Sequence, residues 1–203
     1  MKELKRRSRL AAEAPARFLG RLGFSPNALT IIGSILTAAV GLLAAQGWFL
    51  AAGVCLWVFS LTDTLDGALA RATHRVTVFG AFLDSVCDRY AEAAVFFGLV
   101  WWFQTTANSL GVALAYLALV GSLMVSYARA RAEGVGLQAA EVGWFQRPER
   151  IVVLGVGLLL APFAPDALLV VLGLLALLTT VTVLQRVRHV ARMSGYNQPH
   201  TTP

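Results

Sequence analysis

Charge is scarce in this sequence, and so is cysteine. Of 203 residues, 14% are charged and 57% hydrophobic. That balance is too apolar for a soluble globular domain and suits a chain crossing a bilayer several times. The two cysteines, Cys55 and Cys87, both lie inside apolar stretches, where a thiol packs as a small hydrophobe. A disulfide framework and a cysteine-based zinc site are thereby excluded. The net charge is +6, but no soluble basic region presents it to nucleic acid. Anionic lipid and anionic substrates are the partners it implies.

What is present is a series of long apolar runs. Six segments approach the roughly 20 residues a helix needs to cross a bilayer. They cover about 26–45, 48–72, 77–103, 109–133, 150–163 and 166–187. The fifth is short and rich in glycine. Residues 1–23 are basic and amphipathic, which predicts a helix lying on the membrane surface with its cations toward lipid headgroups. This basic region is too long for a signal peptide and no cleavage site follows it. The expected organisation is an all-α integral membrane protein. An amphipathic juxtamembrane helix (1–23) precedes a six-helix transmembrane domain (24–190) and a polar tail (191–203).

Topology follows from the cations. Of the 17 Lys and Arg, 7 precede the first span, 2 follow the second, 4 follow the fourth and 3 follow the sixth, while Arg89 lies inside the third. The loops near Gln46, Gln104 and Pro165 carry none. The positive-inside rule then places both termini and the even-numbered loops in the cytoplasm of a multi-pass cell-membrane protein.

The few acidic residues are placed unusually. Asp63 and Asp66 close the second apolar segment, and Asp84 and Asp88 lie in the third. A carboxylate inside a membrane span is costly, and where one occurs it usually carries function. Spacings of three and four put each pair on one helix face, so two facing helices aim all four at one point. Like charges converging there need a cation, and all-oxygen ligation favours Mg²⁺, Mn²⁺ or Ca²⁺ over zinc. At 1.5 Å per residue from Trp48, Asp63 lies about 22 Å along its helix, at the cytoplasmic edge of a roughly 30 Å core. A cation or proton transporter also holds intramembrane Asp, but its site usually lies near the midplane between repeats. Here the carboxylates occupy one edge in a single copy. A membrane scaffold has no use for them.

The sequence DTLDGALAR, eight residues, then GAFLDSVCD resembles the signature of the CDP-alcohol phosphotransferase family. Asp63, Asp66, Gly67, Ala70, Arg71, Gly80, Asp84 and Asp88 occupy its positions. The resemblance implies an integral-membrane, homodimeric enzyme that transfers a phosphatidyl group from a CDP-linked lipid to an alcohol and releases CMP. It implies Asp63, Asp66, Asp84 and Asp88 as ligands of two Mg²⁺ or Mn²⁺ ions, with Asp88 also the general base. Gly67, Arg71, Thr77 and the 27–30 segment, with Asn27 and Thr30, would contact the CDP moiety. Charge separation along a breaking diphosphate bond is what bound divalent ions stabilise.

The acceptor is read from the arginines. Arg129, Arg131, Arg147, Arg150 and Arg186 end or open spans on the same side, and a cationic pocket there suits a phosphorylated polyol. Positive-inside topology would place arginines in these loops for any substrate. SYARARAEG with WFQRPER resembles the branch of the family that uses inositol 1-phosphate, with CDP-diacylglycerol or a CDP-archaeol-type lipid as donor. In that branch several members carry Lys where this chain has Arg129. Glycerol 3-phosphate, giving phosphatidylglycerol phosphate, is the alternative acceptor. Glu92, one turn beyond Asp88, is expected to pair with Arg89 or another buried polar group.

Overall fold

The computed structural model describes residues 14–16, 18–137 and 142–194. Most of the predicted surface helix over 1–23 and of the polar tail lies outside the described residues, although 14–16 and 18–21 are helical. Among the described residues seven helices follow: α1 (Pro26–Ala45), α2 (Phe49–Ser60), α3 (Thr62–Ala72), α4 (Val78–Thr105), α5 (Ser109–Gly134), α6 (Arg147–Leu160) and α7 (Pro165–Met193).

Three of the helix starts, those of α1, α4 and α5, are set by short polar side chains. Ser25 accepts from the Ala28 amide at 3.2 Å ahead of Pro26, Thr77 from Gly80 at 2.9 Å, and Asn108 from Gly111 at 2.8 Å. Each satisfies an amide that the helix cannot. The loop between the two Asp pairs turns at His74, whose φ of 55° lets the Arg75 amide reach back to the Ala70 carbonyl at 2.8 Å. That left-handed closure caps α3 and sends the chain directly into α4.

The second apolar segment is two helices, not one. α2 and α3 meet at Leu61, where the Leu61 amide bonds the Val58 carbonyl three residues back. The Ser60 hydroxyl donates to the Trp57 carbonyl at 2.8 Å and the Thr62 hydroxyl to Phe59 at 2.5 Å. Hydroxyls that bond carbonyls of the preceding turn compete with the helical ladder. The consequence is functional: Asp63 falls in the first turn of a new helix, where the macrodipole favours a carboxylate.

Four stretches are long and apolar enough to cross a membrane: Pro26–Ala45, Phe49–Ala72, Ser109–Gly134 and Asp166–Met193. The chain is therefore a membrane protein. Of the six spans expected, the remaining two differ for identifiable reasons. α4 has 28 residues but carries Asp84, Asp88, Arg89 and Glu92, and α6 has only 14. The core between the helices is aliphatic and aromatic, built on Phe96, Leu99, Leu158, Leu172 and Leu175. The periphery exposes Leu42, Val54, Phe97, Val170 and Leu177, as lipid-facing surfaces do.

The tightest packing joins α1 to α4. A Cβ on Gly41 would collide with the Ala94 carbonyl, and one on Gly98 with the Gly41 carbonyl. Backbones approach this closely only through small residues. At the opposite ends of these two helices, the same pairing holds the α1 start beside the α3–α4 loop, with Asn27 and Gly80 lining one cavity.

Candidate active site

Four carboxylates meet where α3, α4 and the first residue of α6 come together. Asp66 and Asp88 are buried, Asp63 and Asp84 partly so. Arg147 bridges the two helices, its Nη1 2.5 Å from Asp63 Oδ2 and its Nη2 2.8 Å from Asp88 Oδ1. Arg89 adds a contact to the other Asp88 oxygen at 3.2 Å. The Thr30 hydroxyl donates to Asp66 Oδ2 at 2.6 Å. Asp84 has no hydrogen bond or ion pair among the described residues, although it lies within electrostatic reach of Asp63 and Asp66 and of Arg147 and Arg89.

The spacing predicted four side chains aimed at one point. The two helices bring them within electrostatic reach of one another, but among the described residues no three acidic, His or Cys side chains stand close enough to hold an ion. Carboxylates repel one another, and the guanidinium between Asp63 and Asp88 is the cation that the chain itself supplies. The residues present nevertheless fit a hard divalent cation. All donors are oxygen, one carboxylate is unpartnered, and two others share one monovalent group. That group's own Nε is buried without a hydrogen-bond partner.

Two cavities flank α4 and share Asp84. The first, about 420 Å³, is lined by Asn27, Thr30, Asp66, Gly67, Arg71, Arg75, Thr77, Gly80 and Asp84. All five residues expected at the CDP moiety thus border one space. Thr77 also caps α4, and a Cβ on Gly80 would sit 3.0 Å from its hydroxyl and 3.2 Å from Asn27 Oδ1. The second cavity, about 770 Å³, lies toward α5 and is lined by Asp84, Ser85, Asp88, Arg89, Ser126, Tyr127, Arg129, Glu133 and Arg147. A third, largely apolar groove runs from Asp63 and Arg147 along Trp57, Leu61, Ile151 and Val152.

The five arginines expected around the acceptor are not gathered into one pocket. Arg129 and Arg147 line the second cavity, with Arg129 Nε 2.9 Å from Glu133. Arg150 is 2% exposed and holds Glu92 through two bonds, at 3.0 and 3.2 Å. Glu92 therefore pairs with Arg150 and not with Arg89. Arg186 is buried and donates to the Val125 and Val142 carbonyls. Arg131 borders a separate apolar groove with it. Burial accounts for Arg150 and Arg186, whose enclosed guanidinium groups take local acceptors, whereas Arg129 and Arg131 are exposed. Ser126 and Tyr127 were not anticipated. The signal for Ser126 is its interval of three from Arg129, which shares a helix face; Tyr127 has no such signal.

Residues 24–185 match the CDP-alcohol phosphatidyltransferase family. The chain is similar to phosphatidylinositol phosphate synthase of Mycobacterium tuberculosis, with 41% identity over 186 residues, 89% of this chain and 85% of the relative. The chain belongs to the CDP-alcohol phosphatidyltransferase family. This phosphatidyltransferase is thus a transferase enzyme of the membrane. It is also 40% identical over 184 residues to archaetidylinositol phosphate synthase of Pyrococcus horikoshii, 86% of this chain and 88% of that one. Its fold resembles two crystal structures of the M. tuberculosis synthase. One, with CDP-DAG bound, gives a TM-score of 0.82 at 38% identity, over 89% of this chain and 93% of the other. The second, with manganese and citrate, gives 0.83 at 36%, over 95% and 92%.

Proposed function

We propose that this phosphatidyltransferase moves a phosphatidyl group from CDP-diacylglycerol, or a CDP-archaeol-type lipid, to a hydroxyl of inositol 1-phosphate. The products are phosphatidylinositol phosphate and CMP. The observation that carries the reading is the pair of cavities separated by α4 and joined at Asp84. The names of the similar enzymes agree with it.

In this reading the nucleotide occupies the first cavity, against Asn27, Gly67 and Thr77, with Arg71 on a phosphate oxygen. The lipid tails leave along the apolar groove that begins at Asp63. Inositol 1-phosphate enters the second cavity, its phosphate near Arg129 and Arg147. Asp88 accepts the hydroxyl proton as the acceptor oxygen bonds to the lipid-side phosphorus and the bond to the CMP oxygen breaks. Asp63, Asp66, Asp84 and Asp88 would hold two divalent ions, Mg²⁺ or Mn²⁺, which supply charge neutralisation to the diphosphate. The similar structure with manganese supports such a metal. Arg131, Arg150 and Arg186 act on this site through the helices they anchor.

The catalytic unit is residues 24–190, in a six-span homodimer with both termini and both cavities on the cytoplasmic side. A radiolabel assay in membranes tests the chemistry. With CDP-diacylglycerol, CMP release is expected with inositol 1-phosphate and not with serine or free inositol. Turnover with glycerol 3-phosphate alone would reassign the acceptor, and turnover with serine alone would overturn the phosphorylated-acceptor reading.

A further inference from the structure

Arg147 stands at the junction of three spaces: the apolar groove, the cavity toward α5, and a small cavity that Arg150 also lines. Its guanidinium ties Asp63 to Asp88, two of the residues proposed to hold the ions. Those contacts and ion ligation compete for the same oxygens: Oδ2 of Asp63 and Oδ1 of Asp88 each lie within 2.8 Å of a guanidinium nitrogen. The guanidinium also leaves its Nε buried and unbonded, so this pose does not satisfy the group it holds.

The backbone beneath is fixed while the side chain has somewhere to go. One turn on, Arg150 is locked to Glu92 of α4 by two bonds, which pins the start of α6. The cavity toward α5 borders Arg147 and contains Ser126, Tyr127 and Arg129.

Resting on the proposed function, we propose that Arg147 is an internal counter-ion that a divalent cation displaces from Asp63 and Asp88. Once displaced, its side chain turns into the α5-side cavity and completes the site for the acceptor's phosphate. Metal loading and phosphate binding are therefore coupled through one side chain, and the coupling is reciprocal. The release supplies a cation to the phosphate only when the ions are in place. Glu92 and Arg150 are positioning residues for this exchange.

The experiment uses the full-length protein in detergent micelles. Mn²⁺ binding is read from loss of the free-ion paramagnetic resonance signal, for the wild type, Arg147→Gln and Arg147→Lys. A competing internal cation lowers apparent ion affinity by the fraction of time it occupies the ligands. Arg147→Gln is therefore expected to bind Mn²⁺ about tenfold more tightly than the wild type, with Arg147→Lys between them. Calorimetric titration with inositol 1-phosphate is then run without metal and with saturating Mn²⁺. Mn²⁺ is expected to tighten binding to the wild type, and this tightening is expected to shrink at least about threefold in Arg147→Gln.

Equal or weaker Mn²⁺ binding by Arg147→Gln overturns the exchange, as does an unchanged Mn²⁺ effect on inositol 1-phosphate. If Arg147→Gln does not fold, Arg147→Lys decides alone. Tighter Mn²⁺ binding than wild type supports the exchange, and binding no tighter overturns it. A wild type that binds no Mn²⁺ sinks the proposed function itself, whereas Mn²⁺ binding that is indifferent to residue 147 sinks only the exchange.

Discussion

Thr30 on α1 donates its hydroxyl proton to Asp66 on α3 across 2.6 Å, and Asp66 is 7% exposed. The same hydroxyl lies 3.1 Å from the Pro26 carbonyl, but it has one proton, and the shorter, charge-assisted contact takes it. Thr30→Val keeps the shape and removes the donor. Leaving a buried acceptor unsatisfied costs about 1–3 kcal/mol, so a lower thermal midpoint is expected together with at least about a tenfold loss of CMP release. Thr30→Ser should retain both. If Thr30→Val raises the KM for the CDP-lipid and leaves stability alone, the hydroxyl serves the nucleotide and not Asp66.

Arg150 and Glu92 form an enclosed ion pair within the bundle. Removing one partner strands the other charge, at a cost of about 3–5 kcal/mol, while replacing both with apolar residues is often neutral. Arg150→Met and Glu92→Met are each expected to lower the detergent-solubilised midpoint sharply. The double variant is expected to recover most of the loss, and a double-mutant cycle measures the coupling. Additive losses would mean that the two side chains stabilise the bundle independently.

The α1–α4 contact allows a cleaner contrast between two glycines. A Cβ at Gly98 meets the Gly41 backbone, whereas one at Gly173 on α7 meets nothing within 4 Å. Gly98→Ala must push α1 away from α4 and is expected to cost about 1–3 kcal/mol. Gly173→Ala gains helix propensity, about 0.5–1 kcal/mol. Because Thr30 is carried on α1, Gly98→Ala is also expected to reduce CMP release, and Gly173→Ala is not. Thermal midpoints and turnover of the two variants, compared directly, check both halves.

Much of this architecture was legible in the sequence because hydropathy has one dominant requirement in a membrane. The first helix was expected over 26–45 and runs Pro26–Ala45, since Ser25 and Pro26 mark its start and apolar residues continue to Gln46. Leu61 was missed because no Gly or Pro marks the break, which is made by the hydroxyls of Ser60 and Thr62. The acidic pairs were legible because carboxylates in apolar helices need a reason. The arginines were less so. Charge and side of the membrane are linear properties, but whether Arg150 meets a phosphate or Glu92 depends on which helix faces which, and the interval of 58 residues between them carries no periodic signal.

Asp63 and Asp84 separate catalytic need from structural need. Both are proposed ion ligands, so Asp63→Asn and Asp84→Asn are each expected to reduce CMP release by at least about a hundredfold. Their effects on the metal-free protein should differ. Asp63 is bonded to Arg147 at 2.5 Å, and amidation weakens that charge-assisted contact while leaving the guanidinium in place. Asp84 makes no hydrogen bond or ion pair among the described residues and lies between the repulsion of Asp63 and the attraction of Arg147 and Arg89, so neutralising it breaks no bond. Thermal scans with chelator present should therefore show Asp63→Asn below the wild type and Asp84→Asn level with it or above. Saturating Mn²⁺ should raise the wild-type midpoint and move both variants less, because binding to the folded state stabilises in proportion to affinity. A fall in the metal-free midpoint of Asp84→Asn would show that its carboxylate holds the bundle together, and its place as a free ligand would go to another residue.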